Sequence, residues 1–315
     1  MIISASRRTD IPAFYADWFM KRIEEGFLYV QNPFNIHKYS KVDLSLEAVE
    51  AIVFWTKNPY PMLKYLDELS RLGYKYYFQF TLTGYPSVIE PSVPSVDKLI
   101  STFKELSSQL GAEKVIWRFD PIIISDVTPE EYIIASFEKI AQRLRNHTKR
   151  VVISFADFYK KLEKNFNKLR NEAHINFYDI NLNSSQIDRI SSRLSEIADN
   201  NLMRIFTCSE EYNLSRFGIQ HGKCIDDELL KQLFGFALKV SKDKNQREAC
   251  GCVQSRDIGQ YNSCVHDCVY CYANFNKEMA HRNKMAHDPN SPFLFGNCNI
   301  HELDNNEKEK QLNLL

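Results

Sequence analysis

Short, continuously apolar runs alternate with longer amphipathic stretches along most of this chain, and that alternation limits the folds open to it. The apolar runs are rich in β-branched and aromatic residues, as expected of parallel strands that are buried on both faces. Strands are predicted at Ile2–Ala5, Phe27–Val30, Ala51–Trp55, Tyr76–Leu82, Lys114–Phe119, Val151–Phe155 and Leu202–Phe206. Helices are predicted at Pro12–Glu25, Pro59–Leu72, Ser95–Leu110, from Pro129 onward, and at Phe158–Asn171, Ser184–Asp199 and Asp226–Val240. Asp10 precedes the first helix and Gly26 follows it, and both residue types favour helix ends.

These seven strands favour an α/β fold, namely a TIM-like (β/α) barrel that is complete or partial. The alternative is an open doubly wound sheet, but no glycine-rich phosphate loop follows any predicted strand to favour a nucleotide-binding variety. From about Lys242 the periodicity stops and the chain becomes rich in Cys, Asn, Gly and His. We therefore predict a βα barrel domain over residues 1–241. A cysteine-rich, cluster-binding segment over 242–315 is predicted to pack on the barrel mouth, with a polar end at Asp304–Leu315.

Composition supports a large folded core, since 44% of the 315 residues are hydrophobic and 13% are aromatic. The formal net charge is zero, so the composition shows no excess of positive charge of the kind that binds nucleic acids or membranes. Neither a signal peptide nor an apolar run of about 18 residues is found, so a cytoplasmic protein with no membrane span is expected. All eight cysteines lie in the last third of the chain. In a reducing cytosol that clustering favours metal ligation over disulfides, with free thiols as the alternative.

Three of these cysteines form a compact motif. The segment Cys264-Val-His-Asp-Cys268-Val-Tyr-Cys271 has the spacing C-x3-C-x2-C. Thiolates hold cubane iron–sulfur clusters, and three closely spaced cysteines leave the fourth iron open. An open iron can chelate S-adenosylmethionine (SAM), and reduction then yields a 5′-deoxyadenosyl radical that abstracts hydrogen from a substrate. The alternative is a zinc site in which His266 or Cys298 supplies the fourth ligand.

The motif resembles the signature of the radical-SAM superfamily, and its Tyr-Cys-Tyr ending is similar to that of the spore photoproduct lyase branch. The whole chain, from Ser4-Ala-Ser-Arg-Arg-Thr-Asp10 onward, resembles an uncharacterised bacterial family with a radical-SAM-like cysteine cluster at its C-terminus. The superfamily usually carries its motif after the first strand, whereas here it follows the predicted barrel. The resemblance implies a radical SAM enzyme of lyase or oxidoreductase type, with a [4Fe–4S] cluster on Cys264, Cys268 and Cys271. It also implies SAM, an electron donor such as flavodoxin or ferredoxin, and an unknown substrate, either a small molecule or a nucleobase.

Four further cysteines predict a second site. Cys208 follows the last predicted strand, Cys224 lies further on, and Cys250 and Cys252 flank a glycine that permits a tight turn. They would hold an auxiliary [4Fe–4S] cluster or a structural zinc ion, or carry no metal. Cys298 is left over and is predicted to be a free thiol.

Polar residues follow nearly every predicted strand, and in a barrel those ends form the reactive face. Two adjacent arginines after the first strand would clamp a carboxylate or phosphate, unless they are simply surface residues. Arg118 would contact the cofactor or pair with Asp120. The predicted cofactor-binding residues are Arg7, Arg8, Gln79, Arg118, Tyr270 and Tyr272, and the three tryptophans predicted as core are Trp18, Trp55 and Trp117. The alternative function is a zinc-stapled binding protein without redox chemistry.

Overall fold

The computed structural model describes residues 1–236 and 241–296 of the chain. The predictions for Cys298, for the stretch 304–315 and for the end of the Asp226–Val240 helix therefore lie outside the described residues.

The strands are β1 (Ile2–Ala5), β2 (Phe27–Asn32), β3 (Asn35–Asp43), β4 (Ala51–Thr56), β5 (Tyr76–Thr81), β6 (Val115–Ile122), β7 (Ile124–Ser125), β8 (Arg150–Phe155), β9 (Phe177–Tyr178), β10 (Arg204–Cys208), β11 (Gln220–Gly222) and β12 (Arg256–Asp257). The helices are α1 (Ile11–Phe14), α2 (Ala16–Glu25), α3 (Leu66–Arg71), α4 (Val96–Leu110), α5 (Glu130–Leu144), α6 (Lys160–Ala173), α7 (Ser184–Asn200), α8 (Asp227–Phe234) and α9 (Lys277–Met285). None of these helices has both the length and the apolar character needed to cross a bilayer.

Eight strands form one parallel sheet, in the order β11-β10-β8-β6-β5-β4-β1-β12. Starting from β1, each later strand of this sheet lies beside its predecessor, and β12 then returns to the free edge of β1. The α/β fold is therefore confirmed. Within the described residues β11 and β12 remain the two edges and do not pair with each other, so a closed barrel is not shown.

Six of the seven predicted strands belong to this sheet, and the prediction for Phe27–Val30 as a buried parallel strand is wrong. That segment is β2, which pairs antiparallel with β3 in a separate two-stranded sheet. Only two residues separate β2 from β3, so the chain turns straight back. A parallel pairing would have required a long crossover.

Two of the predicted helices are interrupted. Asp10 does cap α1, because its carboxylate accepts the Ala13 N–H at 3.0 Å, and Gly26 ends α2 in the left-handed conformation with φ 78°. However, the predicted helix Pro12–Glu25 breaks at Tyr15. The predicted helix Pro59–Leu72 is replaced by a 3-10 helix at Tyr60–Tyr65 followed by α3. Prolines at its start supply no N–H for an α-helical ladder.

The sheet is buried on both faces. One face carries Phe54, Phe78 and Trp117, which belong to the large core formed with α2, α4, α5 and α7. The other face carries Val53 and Tyr77, which pack with α8 and with the segment around the second group of cysteines. Residues 224–230 and 250–253 therefore cover the second face, and this places their thiols close to the strand ends.

The C-terminal segment is joined to the sheet through β12. Asp257 of β12 accepts hydrogen bonds from Ser6 Oγ at 2.7 Å and from the Arg7 N–H at 2.8 Å. The chain then passes so close to Ser6 that a Cβ on Gly259 would lie 1.9 Å from Ser6 Oγ. These contacts fix where Arg7 leaves the end of β1.

Candidate functional site

A cavity of about 380 Å³ opens at the carboxyl ends of β1, β4, β5, β6, β8 and β10. Its wall includes both groups of cysteines, the motif group and the second group that precedes it in the sequence. The thiols that line it belong to Cys208, Cys224, Cys250, Cys252, Cys264, Cys268 and Cys271. The strand-end residues that line it include Thr56, Lys57, Thr81, Arg118, Asp120, Ser154, Asp157, Ser209 and Glu210. The predicted ring of polar strand ends therefore surrounds the thiols.

The loop that carries the C-x3-C-x2-C motif is held by several separate elements. Tyr15 OH, at the junction of α1 and α2, donates to Ser263 O at 2.6 Å. Asn165 of α6 donates to Val269 O at 2.6 Å, and the Val269 N–H donates to Ile89 O at 3.0 Å. The loop is thus fixed over the strand ends by contacts just before the motif and within it.

A buried ion pair lies beside the central cysteine of the motif. Lys57 Nζ donates to Glu90 Oε1 at 2.7 Å, and Tyr270 OH also donates to that oxygen. Burial lowers the pKa of Lys57, but Glu90, Cys268 and Asp120 together outweigh burial and leave that pKa above its ordinary value. Burial raises the pKa of the Cys268 thiol, and the positive charge of Lys57 opposes this rise. Lys57 therefore favours the thiolate form of Cys268, which is the form that binds metal.

His266 lies between two cysteines of the motif and is 3% exposed. Its Nε2 is 2.9 Å from Asp10 Oδ2, and the same carboxylate oxygen accepts the Lys57 N–H at 2.7 Å. Its other ring nitrogen, Nδ1, is buried and has no hydrogen-bond partner in the described part of the chain. A carboxylate paired with one imidazole nitrogen is the arrangement that orients metal-ligating histidines.

The second group of thiols is in direct contact. Cys208 Sγ lies 2.8 Å from Cys224 Sγ, and Cys252 Sγ accepts the Cys224 and Ile225 N–H groups at 3.3 and 3.4 Å. A hydrogen bond from Cys224 lowers the pKa of Cys208 to about 7, although burial acts in the opposite direction. Hydrogen bonds from Cys224 and Cys250 lower the pKa of Cys252 below its ordinary value. These contacts stabilise the thiolate forms of Cys208 and Cys252, and thiolates are the ligands that metals require. The same hydrogen bonds raise the pKa of Cys224 and Cys250, which donate them.

No three Cys, His, Asp or Glu side chains within residues 1–236 and 241–296 are placed so that they would hold one metal ion.

Arg118 connects β6 with the second group of thiols. Its Nη1 donates to Cys224 Sγ at 2.8 Å, while its Nε donates to Asp120 Oδ1 at 2.9 Å. The considered pairing with Asp120 is therefore present together with a thiol contact. Gln79 is not part of the cavity wall. Its side chain is only 1% exposed. It accepts a hydrogen bond from Arg118 Nη1 at 3.3 Å and donates one to Cys224 O at 2.8 Å, so it holds Arg118 from the buried side of the cavity wall.

The other predicted contact residues, Arg7, Arg8, Tyr270 and Tyr272, all line the cavity. The prediction that Trp55 is a core residue is wrong. Trp55 is half-buried in the cavity wall, with the Arg7 guanidinium 5.5 Å and the Arg118 guanidinium 5.1 Å from its ring centroid. It is the next-to-last residue of β4, where the sheet opens onto the cavity.

Sequence reasoning missed two carboxylates that organise the site. Glu90 lies in the long connection between β5 and α4, and Asp257 lies in a two-residue strand. Neither belongs to a spaced motif, so no signal in the single sequence could have found them. Glu210 lies two residues beyond the end of β10. Its Oε1 accepts the Phe155 N–H at 2.7 Å, and burial raises its pKa to about 7.

Comparison with known families gives one match. Residues 2–273 match the family described as "Domain of unknown function (DUF1848)". The matched range begins at β1 and ends just after Cys271, so it includes every strand and both groups of cavity thiols. The chain matches none of the curated proteins.

Proposed function

We propose that this chain, which belongs to the DUF1848 family, is a radical SAM enzyme. One observation carries the proposal. The three thiols of the C-x3-C-x2-C loop and four further thiols line a single cavity at the carboxyl ends of parallel strands. Those strand ends are where α/β enzymes build their active sites.

The donor set suits an iron–sulfur cluster. Cys264, Cys268 and Cys271 would hold three irons of a [4Fe–4S] cluster and leave the fourth for SAM. When bound, the cluster and SAM supply a 5′-deoxyadenosyl radical, which takes a hydrogen atom from the substrate and leaves a substrate radical. Lys57 favours the thiolate of Cys268, and the bonds from Tyr15 and Asn165 keep the loop in place.

The remaining cavity residues would position the reactants and exclude water. Phe155, Ala156 and Leu162 form an apolar part of the wall, while Arg118 and Trp55 form a polar, aromatic part. Ligand pockets commonly enclose about 300–1,000 Å³. The cavity of about 380 Å³ lies in this range, and the substrate would share it with SAM and the clusters.

The second group, Cys208, Cys224, Cys250 and Cys252, would hold an auxiliary cluster. Arg118 donates to one of its thiols, and two backbone N–H groups donate to another. Such hydrogen bonds stabilise thiolates and adjust the reduction potential of iron–sulfur clusters.

We interpret the sheet as a partial βα barrel. From β1 to β11 its strands follow one another in chain order, and β12 lies on the other side of β1, where the last strand of a barrel would lie. Residues 242–315 would form the cluster-binding segment, with the motif loop acting as a cover over the strand ends. The assignment implies a cytoplasmic protein that is reduced by a carrier such as flavodoxin or ferredoxin.

A zinc-stapled binding protein is the second candidate, and one observation favours it. His266 pairs with Asp10 in the manner of metal-ligating histidines, and its other nitrogen has no partner in the described residues.

Metal and sulfide analysis separates the two candidates. Protein purified without oxygen should contain iron and acid-labile sulfide, about eight irons per chain for two cubane clusters. It should be brown, and it should bind SAM in a calorimetric titration. A colourless protein with about two zinc ions and no sulfide would overturn the proposal in favour of the second candidate.

A further inference from the structure

Five lysine and arginine side chains line the cavity, and they differ in how their charges are matched. Lys57 pairs with Glu90 at 2.7 Å, and Arg118 and Arg247 pair with Asp120 and Asp157. Arg7 and Arg8 are not matched in this way. The only ion-pair contact of Arg7 in the described residues is Asp243 Oδ2 at 3.9 Å, and Arg8 has no ion pair there.

Buried donors without acceptors surround the same space. Arg7 Nη2 and Trp55 Nε1 are both buried and have no hydrogen-bond partner in the described part of the chain, and neither does Thr9 Oγ1. All three residues line the cavity, and the Arg7 guanidinium lies over the Trp55 ring. Leaving a buried donor unsatisfied is unfavourable, particularly on a charged group. A ligand that brings acceptor oxygens into the cavity would remove that cost.

Arg7 lies toward the second group of thiols. Its ion-pair contact, Asp243, donates its backbone N–H to Cys252 O at 2.9 Å. Burial lowers the pKa of Arg7, but the negative charges around it, that of Cys252 first among them, together raise it. Lys57, by contrast, is the cation beside the motif cysteine Cys268. The cavity thus has the matched cation Lys57 at the motif end, and the matched Arg118 together with the unmatched Arg7 at the other end.

We infer that Arg7, with Trp55 beside it, binds an oxyanion group carried by the substrate, either a carboxylate or a phosphate. A guanidinium presents two parallel N–H groups, which match the two oxygens of either anion. The Trp55 N–H supplies a further donor, and Arg8 adds positive charge at the cavity wall. This inference rests on the proposed function, because the anion would anchor the substrate between the motif loop and the second thiol group.

Two other roles for Arg7 must be distinguished from this one. Arg7 would bind the carboxylate of SAM if SAM extended to this end of the cavity. Alternatively, it would only neutralise the thiolates of the second group. The three roles make different predictions for competition with SAM and for iron content.

Calorimetric titration of the anaerobically reconstituted holoprotein tests the inference. Inorganic phosphate and acetate are titrated separately at constant ionic strength, each with and without saturating SAM. We expect one of them to bind with one-to-one stoichiometry whether or not SAM is present. Binding of phosphate alone would indicate a phosphate-bearing substrate, and binding of acetate alone a carboxylate.

Variants assign the binding to Arg7. Arg7→Gln should weaken it at least about tenfold, since it removes charge-assisted hydrogen bonds. Arg189→Gln is the control and should bind the anion like the unmodified protein, because Arg189 pairs with Glu130 at 2.9 Å and does not line this cavity. Iron content should be unchanged in both variants.

Four results would overturn the inference: no binding of either anion, equal binding by Arg7→Gln, displacement of the anion by SAM, or loss of iron in Arg7→Gln. The proposed function is judged separately, by SAM cleavage. If SAM is cleaved but no anion binds, only this inference fails. If the anion binds at Arg7 but SAM is never cleaved, the proposed function fails while the anion site remains.

Discussion

The guanidinium of Arg118 lies 2.8 Å from the sulfur of Cys224, and the same guanidinium also pairs with Asp120. This contact joins a strand in the centre of the sheet to a thiol that is distant in the sequence. Gln79 fixes the arrangement from below by accepting from Arg118 and donating to Cys224 O. The second thiol group is thus built onto the sheet itself.

Replacing Cys224 should therefore empty the second site and spare the first. Cys224→Ala removes the thiol that contacts both Cys208 and Arg118, so the purified protein should lose about half of its iron. Cys298→Ala, which alters a cysteine outside both groups, should retain all of it. If the iron content of Cys224→Ala equalled that of the unmodified protein, the second thiol group would hold no cluster.

Replacing only one partner of the buried Lys57–Glu90 ion pair should destabilise the folded protein. Lys57→Met leaves a carboxylate that is 5% exposed without its cation, and such changes cost about 3–5 kcal/mol. The midpoint of guanidinium-induced unfolding should fall accordingly, and the double variant Lys57→Met/Glu90→Met should recover most of the loss. Lys64→Met is the matched control, since its pair with Asp17 is 61% exposed on both sides and is worth at most about 1 kcal/mol. Equal shifts for Lys57→Met and Lys64→Met would contradict the buried pair.

Glu210 should make stability depend on pH in a defined window. Its pKa is about 7 in the folded protein, against an ordinary value of 4.5, because it is buried. Between those values the folded protein holds a proton that the unfolded chain has released. This group therefore reduces stability as pH rises from 4.5 to about 7, with no further loss above.

Thermal unfolding across that window measures the effect. Glu210→Gln stays neutral, so its melting temperature should rise relative to that of the unmodified protein as pH increases, and the difference should level off above about pH 7. The exposed neighbour provides the control variant Glu211→Gln. A constant difference between Glu210→Gln and the unmodified protein from about pH 5 to 8 would show that Glu210 is not perturbed.

Gly259 should tolerate no side chain. An alanine Cβ there would meet Ser6 Oγ at 1.9 Å and Ser6 Cβ at 2.6 Å, which forces apart the end of β1 and the segment after β12. Gly259→Ala should destabilise the protein by about 1–3 kcal/mol in denaturant unfolding. The double variant Ser6→Gly/Gly259→Ala should cost less than the sum of the single changes, since one clash causes the loss. Strict additivity would mean that this close approach is absent.

The strands of the sheet could be predicted from the sequence only where burial on both faces produced a long apolar run. That condition holds for β1, β4, β5, β6, β8 and β10. It fails for β11 and β12, which have three and two residues and carry no periodicity. The run at Phe27–Val30 is equally apolar, but its partner is the strand that immediately follows, and local composition does not encode partner choice.

Some residues of the candidate site could also be predicted from the sequence, and others could not. Spacing identified both cysteine groups, and the strand-end rule identified Arg7 and Arg118 as cavity residues. Glu90 could not be found, because its role depends on a loop that brings it within 2.7 Å of Lys57. Trp55 was misjudged for a related reason, since a tryptophan at a strand end has the same sequence context whether it faces a core or a cavity.

Formation of 5′-deoxyadenosine tests the proposed activity most directly. The reconstituted protein is reduced with dithionite in the presence of SAM without oxygen, and the product is quantified by liquid chromatography and mass spectrometry. The unmodified protein and Cys298→Ala should both form 5′-deoxyadenosine, whereas Cys264→Ala, Cys268→Ala and Cys271→Ala should form none above a protein-free control. An iron-loaded, reduced protein that binds SAM but yields no 5′-deoxyadenosine would contradict a radical SAM function.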